Sequence, residues 1–297
     1  MAKVNYATLY LQALQQKFST GLALNELYST PNNNNIKWVN AKTIQIPRIT
    51  VGGYTDVDRD TVGTPTRRVD NDWEPKTLEH DREFRTLVDP MDIDESNLAI
   101  SIANITRVFN QEEKIPEMDK YAASKLYSEY TDFGGVVLSD ALDSGNILKL
   151  YDQFMEEMDD AEVPQMGRIL YVTPQVNTML KQADQISRML NVTMNTGNIS
   201  RNVRALDEVT VKAVPSSRFK TAYDFTSGAV PAGEQINMVL VHPLSVITPL
   251  KYEFVSLDQP SAATGGKYLY YERSYWDLFA IEKKVPGIKI HAEKAGA

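Results

Sequence analysis

Apolar residues recur at helical spacing at the start of this chain, where Tyr6, Leu9, Tyr10, Ala13, Leu14 and Phe18 mark one stripe before Gly21 interrupts it. Pro31-Asn-Asn-Asn-Asn35 then supplies turn chemistry. The stripe reads either as a local core helix or as an arm laid on a neighbour. From residue 41 to about 90 the rhythm shortens to a β-ribbon, with Ile44, Ile46 and Arg48 alternating with Gln45, Pro47 and Ile49. A return strand is expected over roughly Trp73 to Val88, charged on both parities. Gly52-Gly-Tyr-Thr-Asp-Val-Asp-Arg-Asp-Thr-Val-Gly63 and Thr-Pro-Thr-Arg-Arg68 lie between. Pro47 and Pro75 suit an edge or a bulge, and a polar two-stranded ribbon has to pack on something.

Helical spacing then returns. Asp92-Ile-Asp-Glu95 is a variant capping box that predicts a helix start, with Leu98, Ile102, Ile105 and Phe109 as its stripe. Pro116 suits a second start, followed by Met118, Tyr121, Ala122, Leu126 and Tyr130, so a long helical spine is expected to break or restart at the proline. Phe133-Gly-Gly135 marks a boundary. Beyond it come a helix carrying Ile147, Leu150, Tyr151, Phe154 and Met158, then a buried strand from Ile169 to Val172. Thr173 caps a helix with Pro174 at its first position and Val176, Met179, Leu180 and Ala183 inward. Apolar strands at Val209 to Val214 and Ile236 to Val241 flank a polar segment from Ser216 to Glu234. Strands alternating with helices indicate an α/β module.

The final forty residues predict one long strand, Lys267 to Ile281, with large side chains on both parities. Leu269, Tyr271, Tyr275, Phe279 and Ile281 share one face; Tyr268, Tyr270, Trp276, Leu278 and Ala280 share the other. Both faces are therefore expected to be covered, by the chain's own helices or by a neighbouring subunit. The Trp276 face is expected beneath the helix of Met118, Tyr121 and Leu126. A Pro286-Gly287 turn and a short returning strand to Ile290 complete the segment.

Composition narrows the function. With 297 residues, 42% apolar and 24% charged, the chain has material for about two ordinary domains or one elaborated one. It has no Cys, which removes disulfides, thiolate metal sites and thiol nucleophiles. No stretch reaches the ~18 apolar residues of a membrane span, and Met1-Ala-Lys-Val-Asn-Tyr6 lacks the apolar core of a signal peptide. The expectation is a protein that stays in the cytoplasm of the cell making it. The formal charge of −8, from 39 acidic and 31 basic residues, disfavours a tight grip on a phosphate backbone.

Chemistry-bearing motifs are missing. His80, His242 and His291 fall in separate segments, and Gly265-Gly-Lys267 lacks the first glycine and the hydroxyl residue of a phosphate loop. Asp56, Asp58 and Asp60 begin like a calcium loop, but Thr61 stands at the glycine position and Arg67 at that of the bidentate glutamate. The sequons at Asn104, Asn191 and Asn198 carry meaning only in a secreted protein. No catalytic, cofactor-binding or metal-ligating residue is assigned, and the chain is not expected to be an enzyme.

The C-terminal segment, read with Leu206-Asp-Glu-Val-Thr-Val-Lys-Ala-Val-Pro-Ser-Ser-Arg-Phe219 and Arg168-Ile-Leu-Tyr-Val-Thr-Pro174, resembles the major capsid proteins of tailed double-stranded DNA phages, with the Hong Kong 97-like fold. That resemblance implies an α+β chain: an N-terminal arm (1–40), an extended E-loop ribbon (41–90) lying across the adjacent subunit, a peripheral domain with a spine helix (91–135), an α/β axial domain (136–257) and C-terminal strands returning to the peripheral domain (258–297). It implies hexamers and pentamers closing an icosahedral shell around DNA, with portal and scaffold or decoration proteins as partners, no membrane, and a place in the virion after assembly in the host cytoplasm. An encapsulin-like nanocompartment shares this fold and is the alternative. Some phage shells crosslink through an E-loop lysine and a neighbour's asparagine; Lys76 is the residue to propose here, but no partner is fixed, and it is expected to be an ordinary exposed side chain.

Overall fold

The computed structural model describes residues 21–40, 42–56, 60, 67–95, 102–183, 205–226 and 228–294; the apolar stripe from Tyr6 to Phe18, Leu98 and Asp58 lie outside them. A short helix α1 (Asn25–Tyr28) and strand β1 (Lys37–Trp38) lead into β2 (Thr43–Val51), which pairs antiparallel along its whole length with β3 (Val69–Thr77). The expected return strand is in fact two strands. The chain turns at Leu78 and Glu79, and β4 (His80–Val88) leaves the ribbon for a different sheet. Leu78 is buried with Ile44, Ile247, Tyr275 and Phe279, and the Glu79 N–H donates to the Asp277 carboxylate at 2.9 Å. Those two anchors force the change of partner.

Helix α2 (Pro90–Glu95) starts at Pro90 rather than at Asp92, because Asp89 accepts the Met91 N–H at 3.0 Å. The spine is α3 (Ile102–Phe109), a π turn over Asn110–Lys114, and α4 (Ile115–Asp132). It neither breaks nor restarts at Pro116. Phe109, Lys114 and Ile115 all keep right-handed helical dihedrals, and the Ile115 N–H donates to the Asn110 carbonyl five residues back. The wider turn relieves the clash that a proline ring makes with the preceding turn of a regular helix. At the far end Gly134 takes φ +77°, and the Gly135 N–H closes on the Tyr130 carbonyl at 2.8 Å. A Cβ on Gly135 would stand 2.4 Å from the Tyr130 ring, so only glycine fits.

The α/β module contains α5 (Ile147–Asp160), β5 (Ile169–Val172), α6 (Pro174–Gln182), β6 (Ala205–Leu206) and β7 (Val209–Ala213). A small hairpin, β8 (Tyr223–Asp224) with β9 (Val230–Pro231), precedes β10 (Ile236–Val241) and β11 (Val246–Ile247). Then come β12 (Leu250–Asp258), β13 (Tyr268–Trp276), β14 (Phe279–Ala280) and β15 (Ile288–Ala292). The order β15-β10-β5-β7-β6 makes a five-stranded sheet in which β5 and β7 are parallel. Alternation along β10 decides its two coats: Met238 and Leu240 pack with Phe154, Met158 and Leu180 of α5 and α6, while Val239 and Val241 join Ala122 and Leu126 of α4.

The C-terminal segment is not one strand. It breaks at Asp277, whose carboxylate accepts N–H groups from Glu79 and Leu278 and the Tyr121 hydroxyl, so β13 and β14 lie in different sheets. β13 is the middle strand of the order β12-β13-β4. Nor does the last strand return along it: β15 pairs with β10 at the edge of the five-stranded sheet. The spine covers one face of β13, burying Tyr270, Glu272 and Trp276, whereas Arg273 on the other face is exposed. The chain's own cover of that other face is partial: Tyr275 is buried with Ile44, Leu78 and Phe279, while Arg273 is left exposed.

Candidate assembly surfaces

The histidines occupy three unrelated settings. His80 is enclosed by Tyr121, Trp276 and Phe225, and burial pushes its pKa down to about 3, so the ring is neutral. Glu117 lies 3.6 Å away but is held bidentate by Arg82, at 2.6 and 3.1 Å. His242 Nδ1 accepts the Leu244 N–H, and its Nε2 faces the Met166 carbonyl at 3.1 Å. His291 Nε2 faces the Asp140 carbonyl at 2.8 Å. Among the described residues no group of three or more His, Asp or Glu side chains is placed to hold a metal ion. Asp56 and Asp60 are exposed.

Lys76 is not the exposed side chain expected of it. Its ammonium lies 3.2 Å from Glu74 and 3.3 Å from Glu129, over the rings of Phe133 and Phe279, with 16% of the side chain accessible. Glu129 also accepts the Ala280 N–H. Burial pushes its carboxyl up and the lysines beside it pull it down. This cluster ties the root of the ribbon to α4 and β14.

Beyond that root the ribbon has a two-faced register. Pro47 stands opposite Trp73, Ile49 opposite Asn71 and Val51 opposite Val69, on one face; Arg48 opposite Asp72 and Thr50 opposite Asp70 form the other. Ile49 and Val51 are 60% and 65% exposed, and Tyr54 is fully so. Each strand carries its apolar residues on one parity, Pro47, Ile49 and Val51 in β2 and Val69 and Trp73 in β3, and the register brings the two sets onto the same face. Two exposed contacts hold the outer half: Arg48 to Glu282 at 2.7 Å, and Lys283 Nζ to the Ile49 carbonyl at 2.8 Å.

A second uncovered surface lies on the β12-β13-β4 sheet, opposite the spine. Tyr252, Phe254, Tyr271 and Leu87 line it, with Arg273 bonded bidentate to Asp81 at 2.9 and 2.6 Å. Exposed apolar area of this kind, outside any catalytic constellation, is what a protein that buries surface between chains carries.

No family model matches this sequence, and no curated protein does. Solved structures do match. The capsid structure of the cyanophage P-SCSP1u superposes with a TM-score of 0.71 at 11% identity, covering 97% of this chain and 93% of the other. The chain has a phage capsid fold. The asymmetric unit of the bacteriophage PhiM1 mature capsid gives a TM-score of 0.65 at 16% identity, covering 100% and 98%. The capsid of the Myoviridae phage XM1 gives 0.59 at 12%, covering 97% of each chain. The capsid fold thus extends over nearly all of this chain, ribbon included.

Proposed function

We propose that this chain is the major capsid protein of a tailed double-stranded DNA phage, a structural subunit rather than an enzyme, and that copies of it form hexamers and pentamers that close an icosahedral shell. The observation that carries this reading is the near-complete mutual coverage with capsid structures. The ribbon supports it independently, since its apolar outer half, with Ile49 60% and Val51 65% exposed, is left uncovered by the described residues of its own chain.

In this reading residues 1–40 form the arm, 41–90 the E-loop with β4 as its exit into the peripheral sheet, 91–135 the peripheral spine and 136–257 the axial domain. Residues 258–297 return to the peripheral sheet through β13 and then supply the axial sheet with β15. The net charge of −8 fits DNA that is enclosed without sequence-specific contacts. Portal and scaffold or decoration proteins complete the partner set, and the place of action is the virion, assembled in host cytoplasm.

Electron microscopy and sedimentation of the expressed full-length chain, alone and with scaffold or crowding agent, test it. Capsomers or closed particles are the expected result. A compact monomer under all of these conditions overturns it.

A further inference from the structure

Among the described residues β12 is the edge of its sheet, and its outer rim is a row of backbone groups with no described strand beside them. Monomeric proteins blunt such edges with proline, charge or bulges. Here the irregularity and the charges Lys251 and Glu253 sit in the first half of the strand and Asp258 is its last residue; the run Phe254-Val-Ser-Leu257 between them is left open. Phe254 is 44%, Val255 54% and Leu257 41% exposed, so the strand carries uncovered apolar side chains on both of its faces. An edge strand of that kind reads as an inner strand awaiting its neighbour.

We propose that the neighbour is β12 of a second copy, paired antiparallel about a two-fold axis through Ser256. The choice of occupant comes from the strand's own sequence. Symmetric pairing centred on Glu253 sets two like charges face to face. Centring on Phe254 or on Val255 sets Glu253 against Val255 or Leu257 and so breaks up the aliphatic pair, whereas centring on Ser256 keeps that pair together and places its one charge-to-apolar pairing at Asp258, the last residue of the strand. Centring on Ser256 sets Val255 of each copy against Leu257 of the other, small Ser256 against itself, and Phe254 against Asp258. Val255 and Leu257 lie on one face, as their pairing with Glu272 and Tyr270 of β13 requires, so four aliphatic side chains meet in one cluster. The product is a six-stranded sheet, β4-β13-β12 continued through its copy, and an isologous contact of the kind two-fold assemblies use. The inference rests on the shell reading, which brings many copies of this edge together.

The absence of cysteine makes the test specific. Directly opposed residues in antiparallel strands have Cα atoms about 4.5–5.5 Å apart, inside the ~4.4–6.8 Å span of disulfides. Full-length Ser256→Cys, oxidised with copper phenanthroline and run without reductant, is expected to shift to twice the monomer mass and return on reduction. Gln153→Cys, exposed on α5, is expected to stay monomeric. In parallel, Val255→Lys is expected to abolish the paired species, and Val255→Lys with Leu257→Glu to restore it through new cross-copy ion pairs. Ser256→Cys that sediments as particles yet stays monomeric overturns the edge pairing and leaves the shell reading intact. Wild-type chain that never forms particles overturns the shell reading, and a monomer-only Ser256→Cys then overturns both.

Discussion

Asp119 and Arg218 form a buried ion pair at 3.0 Å that fastens three parts of the chain together. The Asp119 carboxylate also accepts the N–H groups of Ala23 and Leu24, and Arg218 donates to the Gly21 carbonyl at 2.8 Å. Burial pushes the Asp119 carboxyl up, against the pull of all three donors. Arg218→Met leaves a buried carboxylate without its cation and is expected to cost about 3–5 kcal/mol. Arg218→Met with Asp119→Asn is expected to recover part of that loss, read by urea denaturation.

Trp276 meets Tyr28, His80 and Tyr121 edge-on, with ring centroids 5.3, 4.7 and 5.0 Å apart. Trp276→Ala opens a cavity between β13 and the spine and is expected to cost about 3–5 kcal/mol. That is a large share of a domain's stability, so insoluble subunits are expected rather than soluble ones that fail to assemble. Unchanged melting together with normal particles would contradict this placement.

Replacing residues 52–68 with an Asn-Gly turn joins Val51 to Val69, which already face each other across the ribbon. Thermal melting of the variant is expected to match wild type, because the anchors at Lys76, Leu78 and Glu79 remain. Particle formation is expected to be lost. A lowered melting transition would make the tip part of the subunit's own core.

His80 links stability to acid. Its folded pKa of about 3 lies below the ordinary histidine value, so between those two values the unfolded chain binds more protons than the folded one. Stability is therefore fully present above ~6.5 and lost as pH falls toward 3, by about 2 kcal/mol at pH 5. His80→Phe is expected to flatten this part of the profile, measured as the difference between denaturation midpoints at pH 7 and pH 5.

Much of this fold was legible in the sequence wherever one periodicity met one partner. The stripes of α4 and α5, the strands β5 and β10 and the Thr173 cap all stand as expected, with the Val176 N–H donating to the Thr173 hydroxyl oxygen at 3.4 Å. The failures share a cause. Alternation with period two runs unchanged through Leu78-Glu79 and through Asp277, so a strand that changes sheets looks like one that does not. What ends each is a hydrogen bond to a residue far along the chain. Lys76 escaped for the same reason, since its acidic and aromatic surroundings come from α4 and β14. The apolar side of the ribbon likewise depends on register, which alone sets Pro47, Ile49 and Val51 on the face of Val69 and Trp73.

The unequal anchoring of the ribbon makes it a lever. Its root is clamped through Lys76 and Leu78, its outer half is held by two solvent-exposed contacts, and Pro47 opposite Trp73 is the fulcrum. Val51 lies about 13 Å beyond Pro47 along the strand, so a tilt of roughly 15° about that point carries the end through about 3.5 Å. No core side chain has to repack for that movement. A subunit built this way can meet neighbours set at slightly different angles, as in the rings of five and six proposed for it, while its folded body stays the same.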